Sequence, residues 1–137
     1  MKSKLLLITG LTLSINLSTN AQVCFNSAVN YTVGASQPFA ICTEDFNNDG
    51  KKDIAVSTDN SAKIAIFLGT GTGTFGAVSS FTAGGTNPKI ICADFNNDGN
   101  IDLASANGLF ANNVSIYLGN GAGSFSPPTN FGVGSYP

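Results

Sequence analysis

The chain has 137 residues, a formal net charge of −2, 10% charged residues, 16 Gly, 3 Cys and no His or Trp, and all 6 of its basic residues are Lys. Without His there is no Ser-His-Asp triad, no imidazole general base and no ordinary catalytic zinc centre. Lysines this sparse, with no Arg, make no basic face for a phosphate backbone, so nucleic acid is not an expected partner.

At the N-terminus Lys2 and Lys4 precede a mostly apolar run, LLLITGLTLSINL (5–17), and Thr19-Asn20-Ala21 ends in a small residue. This is the three-part layout of a secretory signal peptide, predicted over 1–21 with cleavage after Ala21. A membrane anchor needs about 20 uninterrupted apolar residues, and here Gly10 and Asn16 interrupt the run. The mature region, 22–137, is therefore expected to be secreted or displayed at the cell surface with no membrane span. It holds three cysteines, Cys24, Cys42 and Cys92. Cys42 and Cys92 sit at near-equivalent places, each in an apolar strand before an acidic loop, and read as small buried hydrophobes rather than as a bridge. Neither has a neighbouring base to make it a nucleophile.

The mature region repeats itself. Phe25, Phe75 and Phe125 recur at intervals of 50, followed by the aromatics Tyr31, Phe81 and Phe131 and then by Gly34, Gly84 and Gly134. LGTGTGTF (68–75) returns as LGNGAGSF (118–125), whereas DFNNDGKKDIA (45–55) returns as DFNNDGNIDLA (94–104) after only 49 residues. The missing residue is restored in the loop before Tyr117. In this frame the units are 25–74 and 75–124, with the opening of a third at 125–137.

Strands are expected at 39–42, 53–57 and 63–68, and a further one in the 75–83 stretch. The second unit repeats them at 102–106 and 113–118. They are short, rich in β-branched residues and bounded by Gly, Asn and Asp. No segment of the mature region carries a helical apolar period. The expectation is an all-β protein with about four short antiparallel strands per unit, the content of one propeller blade.

Of the 8 acidic residues, Asp45, Asp49, Asp53, Asp94, Asp98 and Asp102 fall in two nonapeptides of the form D-x-N-x-D-G-x-x-D. Three carboxylates in nine residues repel one another unless a cation neutralises them. Side-chain oxygens at positions 1, 3 and 5 (Asp45, Asn47, Asp49; Asp94, Asn96, Asp98) can line a tight loop, with Gly50 and Gly99 permitting the turn. The backbone carbonyl at position 7 (Lys51, Asn100) and the carboxylate at position 9 (Asp53, Asp102) can complete an oxygen shell suited to Ca²⁺ better than to Mg²⁺. Plain Asn-Asp-Gly turns need no metal, but two copies sharing every side-chain ligand favour calcium in a structural role. An EF-hand would need Glu at position 12 and flanking helices; here position 12 is Val56 or Ser105. Dockerin modules place the same motif between helices in a shorter repeat, and tandem G-G-x-G-x-D nonapeptides of the RTX kind are absent.

These motifs together resemble the FG-GAP family, in the secreted bacterial form called VCBS repeats: DFNNDGKKDIAV and DFNNDGNIDLAS match its calcium loop running into a strand, and LGTGTGTF and LGNGAGSF its glycine-rich turn. The resemblance spans 25–137. It implies a β-propeller of the integrin-α-chain type with about seven blades. It also places the calcium ligands on Asp45, Asn47, Asp49, the Lys51 carbonyl and Asp53, and on Asp94, Asn96, Asp98, the Asn100 carbonyl and Asp102. Two units cannot close a ring, and open sheet edges expose unpaired backbone. The remaining blades are expected from a longer C-terminal part or, alternatively, from other copies of the chain.

Three other signals carry less. Gly71 to Gly76 spells G-x-G-x-x-G, but strand and turn residues follow where a nucleotide site needs a helix. Asn30-Tyr-Thr and Asn113-Val-Ser are glycosylation sequons by spelling alone. The recurring aromatics fit packing between blades better than sugar stacking. The function expected is non-catalytic, calcium-stabilised binding or adhesion to an extracellular glycan or protein. The alternatives are an accessory propeller of a secreted enzyme and a structural spacer.

Overall fold

The computed structural model describes residues 27–34, 37–59, 61–86, 88–108, 111–135 and 137. The expected signal peptide, Cys24 and Phe25 lie outside these residues. The described residues contain eight strands and no helix: β1 Pro38–Glu44, β2 Asp53–Thr58, β3 Lys63–Phe67, β4 Ser79–Thr82, β5 Pro88–Ala93, β6 Asp102–Asn107, β7 Asn113–Tyr117 and β8 Thr129–Gly132. They form two four-stranded antiparallel sheets in sequential order, β1-β2-β3-β4 and β5-β6-β7-β8. The all-β expectation and its four strands per unit thus hold. The sheets are out of phase with the sequence frame. Residues 125–137, which read as the opening of a third unit, supply β8 and so complete the second sheet.

The one-residue difference between the repeats has a location. Pro38 pairs with Thr58 but Ala40 pairs with Ser57, so Phe39 is an extra residue on β1, a β-bulge. The Ala40 amide, displaced from the ladder, donates to the buried Ser57 hydroxyl at 3.1 Å. In the second sheet β5 has no bulge, and Ala106 stands where Ser57 stood.

Side chains of an antiparallel pair point to one side of the sheet, so the two faces of each sheet follow from the register. One face of sheet one carries Cys42, Ala55 and Ile66; the facing side of sheet two carries Cys92, Leu103 and Tyr117. These faces enclose the main core, with Phe46, Ala55, Ile64, Ile66, Leu103 and Tyr117 buried in it. The opposite face of sheet one holds a second, smaller cluster of Val56, Ala65 and Phe67 with Val33, Ile54 and Phe75 packed on it.

The recurring aromatics join the sheets. Phe81 on β4 lies 5.4 Å from Tyr117 and 5.6 Å from Phe125, ring centre to ring centre. Tyr31 repeats the arrangement on Phe67 and Phe75, at 6.1 and 5.3 Å. Tyr31, Phe75, Phe81 and Phe125 are thus packing residues, whereas Phe131 is exposed.

Cys42 and Cys92 are half-buried free thiols against the main core. Burial pushes the Cys42 thiol well above its ordinary range, and the adjacent Cys92 adds to the shift. Burial also raises Cys92.

Tyr117 is fully buried, and its hydroxyl accepts from the Gly84 amide at 2.7 Å and lies 3.3 Å from the Ser105 hydroxyl. Tyr117→Phe strips that acceptor and leaves the Gly84 amide unpaired, a cost of about 1–2 kcal/mol. The expected outcome in urea unfolding is a lower midpoint with an unchanged slope; an unmoved midpoint would show that the hydroxyl contributes nothing.

Candidate metal loops

Each acidic nonapeptide turns the chain from the first strand of a sheet to the second. In the first loop, Asp45 Oδ1 accepts from the Asp49 amide at 3.1 Å and Oδ2 from the Gly50 amide at 2.7 Å. Asn47 Oδ1 also accepts from the Asp49 amide, at 3.2 Å, and Asp49 Oδ1 accepts from the Lys51 amide at 2.9 Å. The second loop repeats this bond for bond. Asp94 accepts from the Asp98 and Gly99 amides at 3.2 and 2.9 Å, Asn96 from the Asp98 amide at 2.9 Å, and Asp98 from the Asn100 amide at 2.8 Å. The turn needs left-handed backbone at the fourth and sixth positions. Asn48 (φ 57°) and Asn97 (φ 58°) tolerate it, and Gly50 (φ 80°) and Gly99 (φ 87°) adopt it without steric cost.

The ninth-position aspartates behave differently. Asp53 and Asp102 are completely buried. Asp53 Oδ2 accepts from the Phe46 amide at 2.9 Å and Oδ1 from the Gly69 amide at 2.7 Å. Asp102 does the same with Phe95 at 3.0 Å and Gly119 at 2.8 Å. Each therefore ties its acidic loop to the glycine-rich turn after the third strand of the same sheet. Gly69 and Gly119 cannot be replaced without movement, because a Cβ would run into the carbonyl oxygens of Lys52 and Ile101. Sequence reasoning named the aspartates but missed these glycines; their fixed 16- and 17-residue offsets from the aspartates were the available signal.

So the structure brings positions 1, 3 and 5 together at each loop and turns position 9 inward onto backbone amides. Among the described residues no three carboxylate or thiol side chains converge on a single point. The oxygen-only donor set still fits a hard cation. Asp53 and Asp102 are buried carboxylates whose hydrogen-bond partners are neutral amides, and each oxygen keeps a second lone pair.

The two loops differ at position 7. Lys51 places its ammonium 2.9 Å from Asp49 Oδ2. In the second loop Asn100 stands there, and its side-chain oxygen accepts from Asn48 of the first loop at 3.0 Å. The Phe46 carbonyl of loop one also accepts from the Gly123 amide at 2.8 Å, so the loop docks on the glycine turn of the second sheet.

A family model described as an FG-GAP-like repeat matches residues 45–105 and 94–137. The chain belongs to this family, and its two sheets are blades of a β-propeller-like repeat segment. Comparison with curated proteins and with solved structures finds no match. Among the described residues there is no helix long and apolar enough to cross a membrane.

Two predictions follow from the hydrogen bonds. Asp102→Ala orphans the buried Gly119 amide and the partly buried Phe95 amide and should lower stability by about 2 kcal/mol, read as a fall in the urea midpoint; a change below experimental error would refute the anchoring role. The second concerns pH in chelator-treated protein. The Lys51 ammonium, with help from its amide, holds the Asp49 carboxyl below its usual range, and the Asn100 amide does the same for Asp98. A folded pKa below the unfolded one gives stability that is complete above the ordinary carboxylate pKa and fades as pH falls through the depressed value. Carboxyl titration by NMR should show Lys51→Ala raising the Asp49 midpoint while leaving Asp98 in place.

Proposed function

We propose that this chain is a non-catalytic, calcium-stabilised segment of an exported β-propeller that binds a protein or glycan outside the cell. The observation that carries the calcium reading is the pair of buried carboxylates, Asp53 and Asp102, which sit beneath acidic loops of identical geometry with no cation in their hydrogen-bond shell. Burying a charge against neutral donors alone costs several kcal/mol, and a bound cation at each loop offsets that cost.

In this reading Asp45, Asn47, Asp49, the Lys51 carbonyl and Asp53 hold one ion. Asp94, Asn96, Asp98, the Asn100 carbonyl and Asp102 hold the other. Calcium would supply charge neutralisation and rigidity to each loop. The chain's own part is to preform the loops through their amides and to dock the first on the neighbouring blade. Export rests on the sequence of residues 1–21, and the extracellular ligand on the use of propeller loops for recognition.

The two sites are not equal. The Lys51 ammonium already occupies an oxygen of Asp49 and must be displaced, whereas Asp98 has no such competitor. Calcium titration by calorimetry should resolve a tighter site removed by Asp98→Ala and a weaker one removed by Asp49→Ala. Lys51→Asn should strengthen the weaker site several-fold. Calcium should raise the melting temperature, and EDTA should reverse the rise. A melting curve indifferent to both calcium and EDTA would leave plain turns and no metal.

A further inference from the structure

Cys42 and Cys92 would not meet if the two repeats were strictly equivalent. Counted back from the acidic loops, the counterpart of Cys42 is Ile91, because Cys42 pairs with Ala55 and Ile91 with the equivalent Ala104. The counterpart of Cys92 is Thr43, since Cys92 pairs with Leu103 and Thr43 with the equivalent Ile54. The cysteines are thus one strand position out of step, and one position reverses the face of a sheet. Cys42 points from sheet one toward sheet two, and Cys92 from sheet two toward sheet one. Both pack on the core between the sheets, β1 lies against β5, and each thiol is close enough to bear on the other's ionisation. Neither is fully buried.

We propose that Cys42 and Cys92 are a disulfide-forming pair that staples the first blade to the second when the chain meets a disulfide oxidant. One cysteine thiolate attacks the donor disulfide, forming a mixed disulfide and releasing one donor thiolate. The second cysteine, as a thiolate, attacks its partner's sulfur and releases the other donor thiolate. The protein thiols lose two protons and two electrons, and the donor disulfide is reduced to two thiols. Bond formation requires the two sulfurs to close to about 2.05 Å. The bond would lock the two sheets across the core on which both depend. It requires no calcium, and its formation in the cell rests on the export reading above.

The test uses the full chain carrying Cys24→Ser, in EDTA, with oxidised glutathione as the donor. The expected product is monomeric, lacks two hydrogens, retains no glutathione, and joins the tryptic peptide ending at Lys51 to the one beginning at Ile90. Its melting temperature should rise by roughly 10 °C over the reduced form, as expected for closing a long loop. Either Cys42→Ser or Cys92→Ser should abolish the mass loss and the rise. In urea the same reaction should divert to glutathione adducts and dimers, because the fold and not the chain selects the pair. The proposal is overturned by persistent glutathione adducts on the folded protein, by an equal yield of the link in urea, or by a linked form that melts no higher than the reduced one.

Discussion

Each blade depends on one carboxylate placed where its second strand begins. Asp53 and Asp102 are wholly buried, and each accepts one amide from the acidic loop and one from the glycine-rich turn. Hydrogen bonds to a charged acceptor are about twice as strong as neutral ones, and an orphaned buried donor is costly. The aspartate therefore holds two otherwise independent turns in a fixed relation. That relation in turn presents the first loop to the second blade, where Phe46 receives the Gly123 amide and Asn48 reaches Asn100. Close approach at this seam also uses Gly121 and Gly123, whose left-handed backbone leaves no room for a side chain beside Asn100 and Leu68.

The seam between the sheets is not symmetric in chemistry. Sheet one contributes aliphatic side chains such as Ala55, Ile64 and Ile66. Sheet two answers with Leu103 and Tyr117 but also with a connected polar set. Asn107 donates to Ser115 at 2.6 Å and to Asn113 at 2.7 Å, and Ser115 donates to Asn130 at 2.7 Å. Every bond in that set is supplied by a partner in the same sheet, so it can be buried without leaving polar atoms unpaired. The equivalent face of sheet one carries Val56, Ala65 and Phe67 instead. One fold thus accommodates an apolar and a polar version of the same surface, because the ladder sets the geometry and the side chains need only be satisfied.

A great deal was legible in the sequence. The alternating, β-branched segments between Gly, Asn and Asp clusters gave strands within a residue or two at 53–58, 63–67, 102–107 and 113–117. The weak, polar fourth strand of sheet one was located only as a stretch and that of sheet two was not named, since four residues with mostly exposed side chains carry little periodicity. Positions 1, 3 and 5 of each acidic loop meet as the motif implies, because the turn is made by residues adjacent in the chain. The partner of position 9 was not legible, being a glycine amide in a turn that is distant in sequence.

What the sequence alone determined is local: strand alternation, the left-handed turns at Asn-Asp-Gly, and the repeat itself, all of which depend on backbone preferences and neighbouring residues. Burial was decided only by the tertiary structure. Phe46 and Phe95 stand in identical DFNNDG segments, yet Phe46 is 2% exposed beneath Phe125 of the second blade and Phe95 is 41% exposed. The cysteines teach the same lesson through register. Their places looked alike along the chain, but one bulged residue at Phe39 turned them toward each other. A side chain's surroundings come from whichever sheet lies against it, and strand parity, which a single inserted residue reverses, decides which sheet that is.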